Sequence, residues 1–139
     1  MLPLDLVLVR HGESEGNIAV DASKGGDNSI FTPEFRNRHS REFRLTDKGI
    51  AQAKAAGEWL RTNVPFPFTY FCVSDYIRAK ETAALLALPD ARWKDEFYLR
   101  ERDRGLIDNI PRDEERTEFP REHAQYLLDR FLSVPAWRW

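Results

Sequence analysis

Arg10, His11 and Gly12 stand where an apolar run ends and a string of small polar residues begins. An imidazole can serve as nucleophile or proton carrier near neutrality, because its unperturbed pKa is about 6.5. The guanidinium beside it carries a permanent charge and a planar fork of donors suited to phosphate or carboxylate. Residues 4–9 are apolar apart from Asp5, with the length and β-branched content of a buried strand. A strand that stops at a cation and an imidazole sets both at its carboxyl end, where ligands bind in open α/β sheets. A helix starting near Ser14 would add unpaired backbone N–H groups and the positive end of its dipole. The local chemistry points to phosphate.

The whole string Val7-Leu8-Val9-Arg10-His11-Gly12-Glu13-Ser14-Glu15-Gly16-Asn17 resembles the signature of the histidine phosphatase superfamily, which includes the phosphoglycerate mutases and many broad phosphatases. The resemblance implies that His11 is the nucleophile and becomes phosphohistidine, while Arg10 and Asn17 hold the phosphoryl oxygens. The segment Val73-Ser74-Asp75-Tyr76-Ile77-Arg78-Ala79-Lys80-Glu81-Thr82-Ala83 resembles the second motif of that family. By that match Arg78 is a second phosphate-binding arginine. Leu99-Arg100-Glu101-Arg102-Asp103-Arg104-Gly105 resembles its Glu-Arg-x-x-Gly segment, which makes Glu101 the proton donor for ester cleavage, with Asp103 as the other candidate acid. Arg100, Arg102 and Arg104 around Glu101 should lower a carboxyl pKa, whereas a general acid needs it raised. A phosphate dianion or partial desolvation would have to oppose them. Leu45-Thr46-x-x-Gly49-x-x-Gln52-Ala53 also resembles the family, as a structural helix behind the phosphate site.

The implied fold is α/β, a three-layer α/β/α arrangement with a mainly parallel sheet, phosphoglycerate mutase-like but without its C-terminal part. The implied activity is metal-independent hydrolysis of small phosphate monoesters through phosphohistidine on His11, with no cofactor. A mutase-type phosphotransferase is the second enzymatic reading, and a shortened domain that binds phosphoryl ligands without turnover is the third. The family carries a second catalytic His in a Ser/Ala-His-Gly string, and no such string occurs here. His39 reads instead as a loop residue and His123, in Glu122-His123-Ala124, as a helix residue. Residues 1–139 are therefore taken as a single, incomplete domain, either a fragment or a naturally shortened member. A missing strand would leave a sheet edge uncovered and favour a homodimer.

Several elements must position these groups. Further strands are expected at 68–73 and 91–99, and strand alternating with helix is the pattern of a parallel sheet with right-handed crossovers. The clearest helix opens at Thr46 as N-cap, buries Ile50, Ala53, Ala56 or Gly57, and Leu60, and ends before Pro65 and Pro67. A second is expected over 76–88. Helical segments in 111–133 offer Phe119, Leu127, Leu128 and Phe131 as buried positions. Residues 18–44 lack a persistent period and carry Arg36, Arg38, Arg41 and Arg44, so they read as a solvated loop or a flap for an acidic substrate.

A chain of 139 residues with net charge −2 fits one modest domain. Lys+Arg at 21 against Asp+Glu at 23 gives no basic excess for nucleic acid. No apolar stretch approaches the roughly 20 residues that span a bilayer. The start lacks the charged and apolar regions of a secretory signal, so a cytoplasmic enzyme is expected. The single Cys72 lies in an apolar run and is expected to be a buried structural thiol.

Overall fold

A computed structural model describes residues 5–102 and 104–131. Leu4, Asp103 and the side chain of Phe131, all named above, lie outside the described residues.

The chain folds as α/β with a small parallel sheet. Strand β1 (Phe71–Val73) pairs in parallel with β2 (Trp93–Asp95), in the register Phe71↔Trp93, Cys72↔Lys94 and Val73↔Asp95. Parallel neighbours need a crossover, and helix α4 (Ile77–Leu85) supplies it. It packs on helix α3 (Asp47–Asn63). Thr46 caps α3 by accepting the Gly49 N–H at 3.1 Å, and the buried face is Gly49, Ala53, Gly57 and Leu60. That small-residue face lets the backbones approach: a Cβ on Gly57 would collide with the Leu86 carbonyl oxygen and lie 2.7 Å from Leu86 Cα. The half-buried free Cys72 lies on β1 rather than deep in a core.

The first strand is the main departure from expectation. Residues 5–9 join no ladder, and Leu6, Val7, Leu8 and Val9 are 72, 38, 79 and 41% exposed. The alternation is that of a pleated run with one side toward the protein. Leu6, Val7, Leu8 and Val9 all line an apolar cavity of about 640 Å³ together with Leu60, Phe71, Val73 and Leu86. A buried parallel strand needs hydrogen-bonding neighbours as well as apolar cover. Among the described residues β1 pairs only with β2, so the strand-like composition of 5–9 does not by itself make a strand.

Residues 18–44 are ordered rather than a solvated loop, and Phe31, Phe35, Ser40 and Phe43 among them line the same cavity as His11. Helix α1 (Glu15–Lys24), the short α2 (Pro33–Asn37) and a 3₁₀ turn at Ser40–Glu42 close over Ala19, Phe31, Phe35 and Phe43. Phe35 stacks on Phe43 at 4.6 Å and meets Phe31 edge-on at 5.4 Å. The arginines tie this cap down. Arg36 grips Glu114 with both fork nitrogens at 2.6 and 2.7 Å, Arg38 pairs with Glu15 at 2.6 Å, and Arg44 with Glu81 at 2.6 Å.

Downstream lie α5 (Arg112–Thr117) and α6 (Pro120–Phe131). Phe119 is half-buried, and Leu127 and Leu128 are 37 and 55% exposed, against expectation. The buried side chains of this region are Ile107, Pro111 and Glu115; α6 packs on α5, and its half-buried positions among the described side chains are His123 and Tyr126.

Candidate active site

The loop after His11 is held in place by two helices. The Gly12 N–H donates to Thr82 Oγ1 on α4 at 3.2 Å, and the Thr82 hydroxyl donates to the Arg78 carbonyl at 2.8 Å. The Glu13 N–H reaches Gln52 Oε1 at 2.8 Å, and its carbonyl accepts the Thr46 N–H at 3.0 Å. The Glu13 carboxylate takes the Thr46 hydroxyl at 2.9 Å and Lys48 at 2.8 Å. Gly12 and Gly49 face each other so closely that a Cβ on Gly12 would lie 2.9 Å from Gly49 Cα. This contact gives the Thr46-x-x-Gly49-x-x-Gln52 segment its structural purpose.

Ser14 caps α1, and both its N–H and its hydroxyl donate to Asn17 Oδ1 at 3.0 Å. With its oxygen so used, Asn17 has only its NH₂ group to offer an anion.

His11 is held through both ring nitrogens. Nδ1 lies 2.7 Å from the Gly12 carbonyl, and Nε2 lies 3.2 Å from Arg78 Nε. A carbonyl can only accept, so Nδ1 carries the proton and Nε2 the lone pair, an assignment made from hydrogen-bond partners. Arg78 is almost wholly buried, with 6% of its side chain exposed. It spends every face of its guanidinium: Nε to His11, Nη1 to the Ser40 carbonyl at 2.7 Å, Nη2 to Glu101 at 2.6 Å, and its plane over the Tyr76 ring at 4.7 Å. A buried charge needs such partners.

Burial is the largest influence on the His11 pKa and pulls it below the ordinary 6.5, aided by Arg78 and Arg10 and opposed by the Gly12 carbonyl and Glu101. The neutral, nucleophilic ring is thus favoured. The unfolded chain takes up this proton near pH 6.5, the folded chain only at lower pH. Stability from this group is therefore complete above that pH and falls as pH drops through the window beneath it. An NMR titration of the His11 ring should give a midpoint below 6.5; a midpoint above it would contradict the burial argument.

Glu101 sits at the rim, its side chain 66% exposed. The cations that flank it in sequence turn elsewhere. Arg100 pairs with Asp75, Arg102 donates to the Tyr126 carbonyl at 2.9 Å, and Arg104 pairs with Glu115 at 2.5 Å. The cation that meets Glu101 is Arg78.

Arg10, His11, Asn17, Arg78 and Glu101 all line one cavity of about 600 Å³. The structure thus brings these five residues together, while Asp103, the other candidate acid, lies outside the described residues. His39, which accepts the Arg41 N–H at 3.0 Å, and His123, beside Glu115 at 3.4 Å, are not in its lining. Sequence reading missed the Ser40 carbonyl, which has no side-chain signature, and Tyr76, whose place between Ser74 and Arg78 was the available signal. Among the described residues no group of three His, Cys, Asp or Glu side chains is placed to hold a metal ion. Nor is any described helix long and apolar enough to cross a membrane.

An imidazole lone pair, a buried guanidinium and a carboxylate line one cavity of a parallel α/β domain, a set of groups suited to an anion. The chain belongs to the histidine phosphatase superfamily (branch 1), whose profile matches residues 6–136. It is 33% identical over 135 residues to a 2,3-bisphosphoglycerate-dependent phosphoglycerate mutase of Methylocella silvestris, covering 94% of this chain and 57% of that one. A protein of the same name from Methylobacterium radiotolerans is 34% identical over 118 residues, covering 82% and 48%. Phosphoglycerate mutase-like protein AT74 of Arabidopsis thaliana is 33% identical over 116 residues, covering 76% and 33%. The chain spans about half the length of the curated mutases it matches. No solved structure matches it.

Proposed function

We propose that the chain captures a phosphoryl group from a small phosphate ester on His11 Nε2, as the first half of a mutase-type phosphotransfer. The observation that carries this reading is the single Arg78 guanidinium that holds both His11 Nε2 and Glu101. An arriving phosphate dianion competes for those same donors. As Arg78 turns its N–H groups to the phosphoryl oxygens, the Nε2 lone pair is released for attack, and Glu101 is released beside the ester oxygen. Arg10 and the Asn17 NH₂ hold further oxygens. The N–P bond forms as the P–O ester bond breaks, and Glu101, once free of Arg78 and protonated from solvent at the exposed rim, gives that proton to the leaving alcohol. The Gly12 carbonyl, on Nδ1–H, stabilises the charge that the phosphorylated ring acquires.

The names of the bacterial relatives favour return of the phosphoryl group to a phosphoglycerate. Hydrolysis is the second reading, supported by the exposure of Glu101, which leaves the phosphorus open to water. We place the reaction in the cytoplasm, in keeping with the lone unpaired Cys72. Incubation with 3-phosphoglycerate primed by 2,3-bisphosphoglycerate, followed by ³¹P NMR, separates the outcomes. The 2-isomer supports the mutase, inorganic phosphate alone supports the phosphatase, and neither product with no acid-labile phosphoprotein refutes capture on His11.

The acid role of Glu101 has its own signature. Glu101→Gln should slow transfer from alkyl phosphates by about 100-fold, and much less from 4-nitrophenyl phosphate, whose leaving group needs no proton. Equal slowing of both, in a stopped-flow comparison, would remove the assignment.

A further inference from the structure

Helix α4 begins at a residue that does not cap it. The N-cap position is filled by Tyr76, outside the Ser, Thr, Asp and Asn set that closes helix starts, and its side chain makes no capping hydrogen bond. The residue is nevertheless held firmly. Its N–H reaches Ser74 Oγ at 3.4 Å, and it is buried, 6% exposed. The face of its ring is taken by Arg78, whose guanidinium carbon stands 4.7 Å from the ring centroid. His39 packs on the same ring in a T-shaped contact, with the centroids 6.4 Å apart. His39 directly precedes Ser40, whose carbonyl accepts Arg78 Nη1 at 2.7 Å, so one turn secures both the ring and the guanidinium. Tyr76 also lines both the cavity of His11 and the apolar cavity beside residues 6–9. With cation and ring both buried, their attraction lies at the strong, desolvated end of its range.

We propose that Tyr76 is a positioning residue for phosphoryl capture, its ring face keeping the Arg78 guanidinium seated while that group moves its N–H bonds from His11 and Glu101 to the phosphoryl oxygens. The inference rests on phosphoryl capture at His11. In the resting site Arg78 has His11, Ser40 and Glu101 as hydrogen-bond partners besides the ring. The exchange costs it the first and the last. The Ser40 carbonyl alone is a single point about which the guanidinium can pivot, so a second constraint is needed at that moment. Attraction to a ring face has no hydrogen-bond direction, so the N–H groups can be re-aimed without losing it. The ring therefore matters most once the phosphoryl group has arrived. Tyr76 acts through Arg78 and touches no reacting atom.

Rapid-quench measurement of phosphoprotein formation from saturating ³²P-labelled 2,3-bisphosphoglycerate tests it on the whole chain and three variants. Tyr76→Phe keeps the ring face and should hold the capture rate within about two-fold. Tyr76→Leu removes the face and should slow capture by about 10-fold, the scale of a desolvated cation–π contact. Pentafluorophenylalanine in place of Tyr76 keeps the shape and apolar surface of the ring but not its negative face. It should therefore be as slow as the Leu variant, whereas a merely structural role would leave it as fast as the Phe variant. A pentafluorophenyl chain as fast as Tyr76→Phe overturns the proposal, and does so whether or not Tyr76→Leu folds. Equal slowing by Phe and Leu assigns the effect to the hydroxyl and overturns it too. No phosphoprotein from the unaltered chain refutes capture on His11, and this inference with it; phosphoprotein at one rate in all four chains overturns the inference alone.

Discussion

His11→Ala should yield no acid-labile phosphoprotein, and turnover of any phosphomonoester should fall by about four orders of magnitude or more. No second group can take over the nucleophile's place. The other nitrogen-bearing side chains of the cavity are arginines, Lys24 and the amides of Asn17, Gln52 and Asn109, cations or amides that offer no nucleophilic lone pair. The substitution removes two hydrogen bonds, to the Gly12 carbonyl and from Arg78 Nε. Arg78 keeps the Ser40 carbonyl and Glu101, so the wall of the cavity stays in place. The loss should therefore appear in transfer and not as a general collapse. Acid-quench assays with ³²P-labelled substrate give the answer, alongside a thermal melt to show that the variant is folded. A folded variant that retains more than about 1% of the phosphoprotein signal would place the nucleophile elsewhere.

What the sequence disclosed depended on whether the information is local. The Arg10-His11 junction was legible because its chemistry sits in adjacent side chains, and α3 because Thr46 caps it and Gly49, Ala53, Gly57 and Leu60 keep a helical period. Arg78 and Glu101 were legible as motif members. What could not be read is that one guanidinium links His11, Glu101 and a backbone carbonyl, since Ser40 contributes only its main chain. The cap over Phe31, Phe35 and Phe43 escaped for a different reason. Its helices are too short to establish a period, and its arginines read as solvated until their carboxylate partners at Glu15, Glu81 and Glu114 come from distant segments. Glu115 is the sharpest case. Composition assigns a glutamate to the surface, and only the convergence of Arg104 and Arg112 explains its burial. Residues 5–9 failed in the opposite sense: their composition speaks of apolar surroundings and says nothing about whether a neighbour offers its backbone.

Gly49→Ala is the substitution on which local and tertiary reasoning disagree in sign. Within an ordinary helix, glycine to alanine stabilises by about 1 kcal/mol through backbone entropy. Here a Cβ on Gly49 would collide with the Glu13 carbonyl oxygen and lie 2.9 Å from both Glu13 N and Glu13 C. These are main-chain atoms that no rotamer change can move. Glu13 itself is pinned by Thr46, Lys48 and Gln52, so it can retreat only by breaking those bonds. Overpacking of this kind costs about 3 kcal/mol or more, which outweighs the propensity gain. The strain falls on the loop that carries His11, so phosphoryl capture should weaken along with stability. Urea denaturation of Gly49→Ala should give a midpoint well below that of the unaltered chain with a similar slope. A midpoint equal or higher would mean that the Glu13 loop does not rest on the start of α3. The close packing that fixes His11 would then be absent.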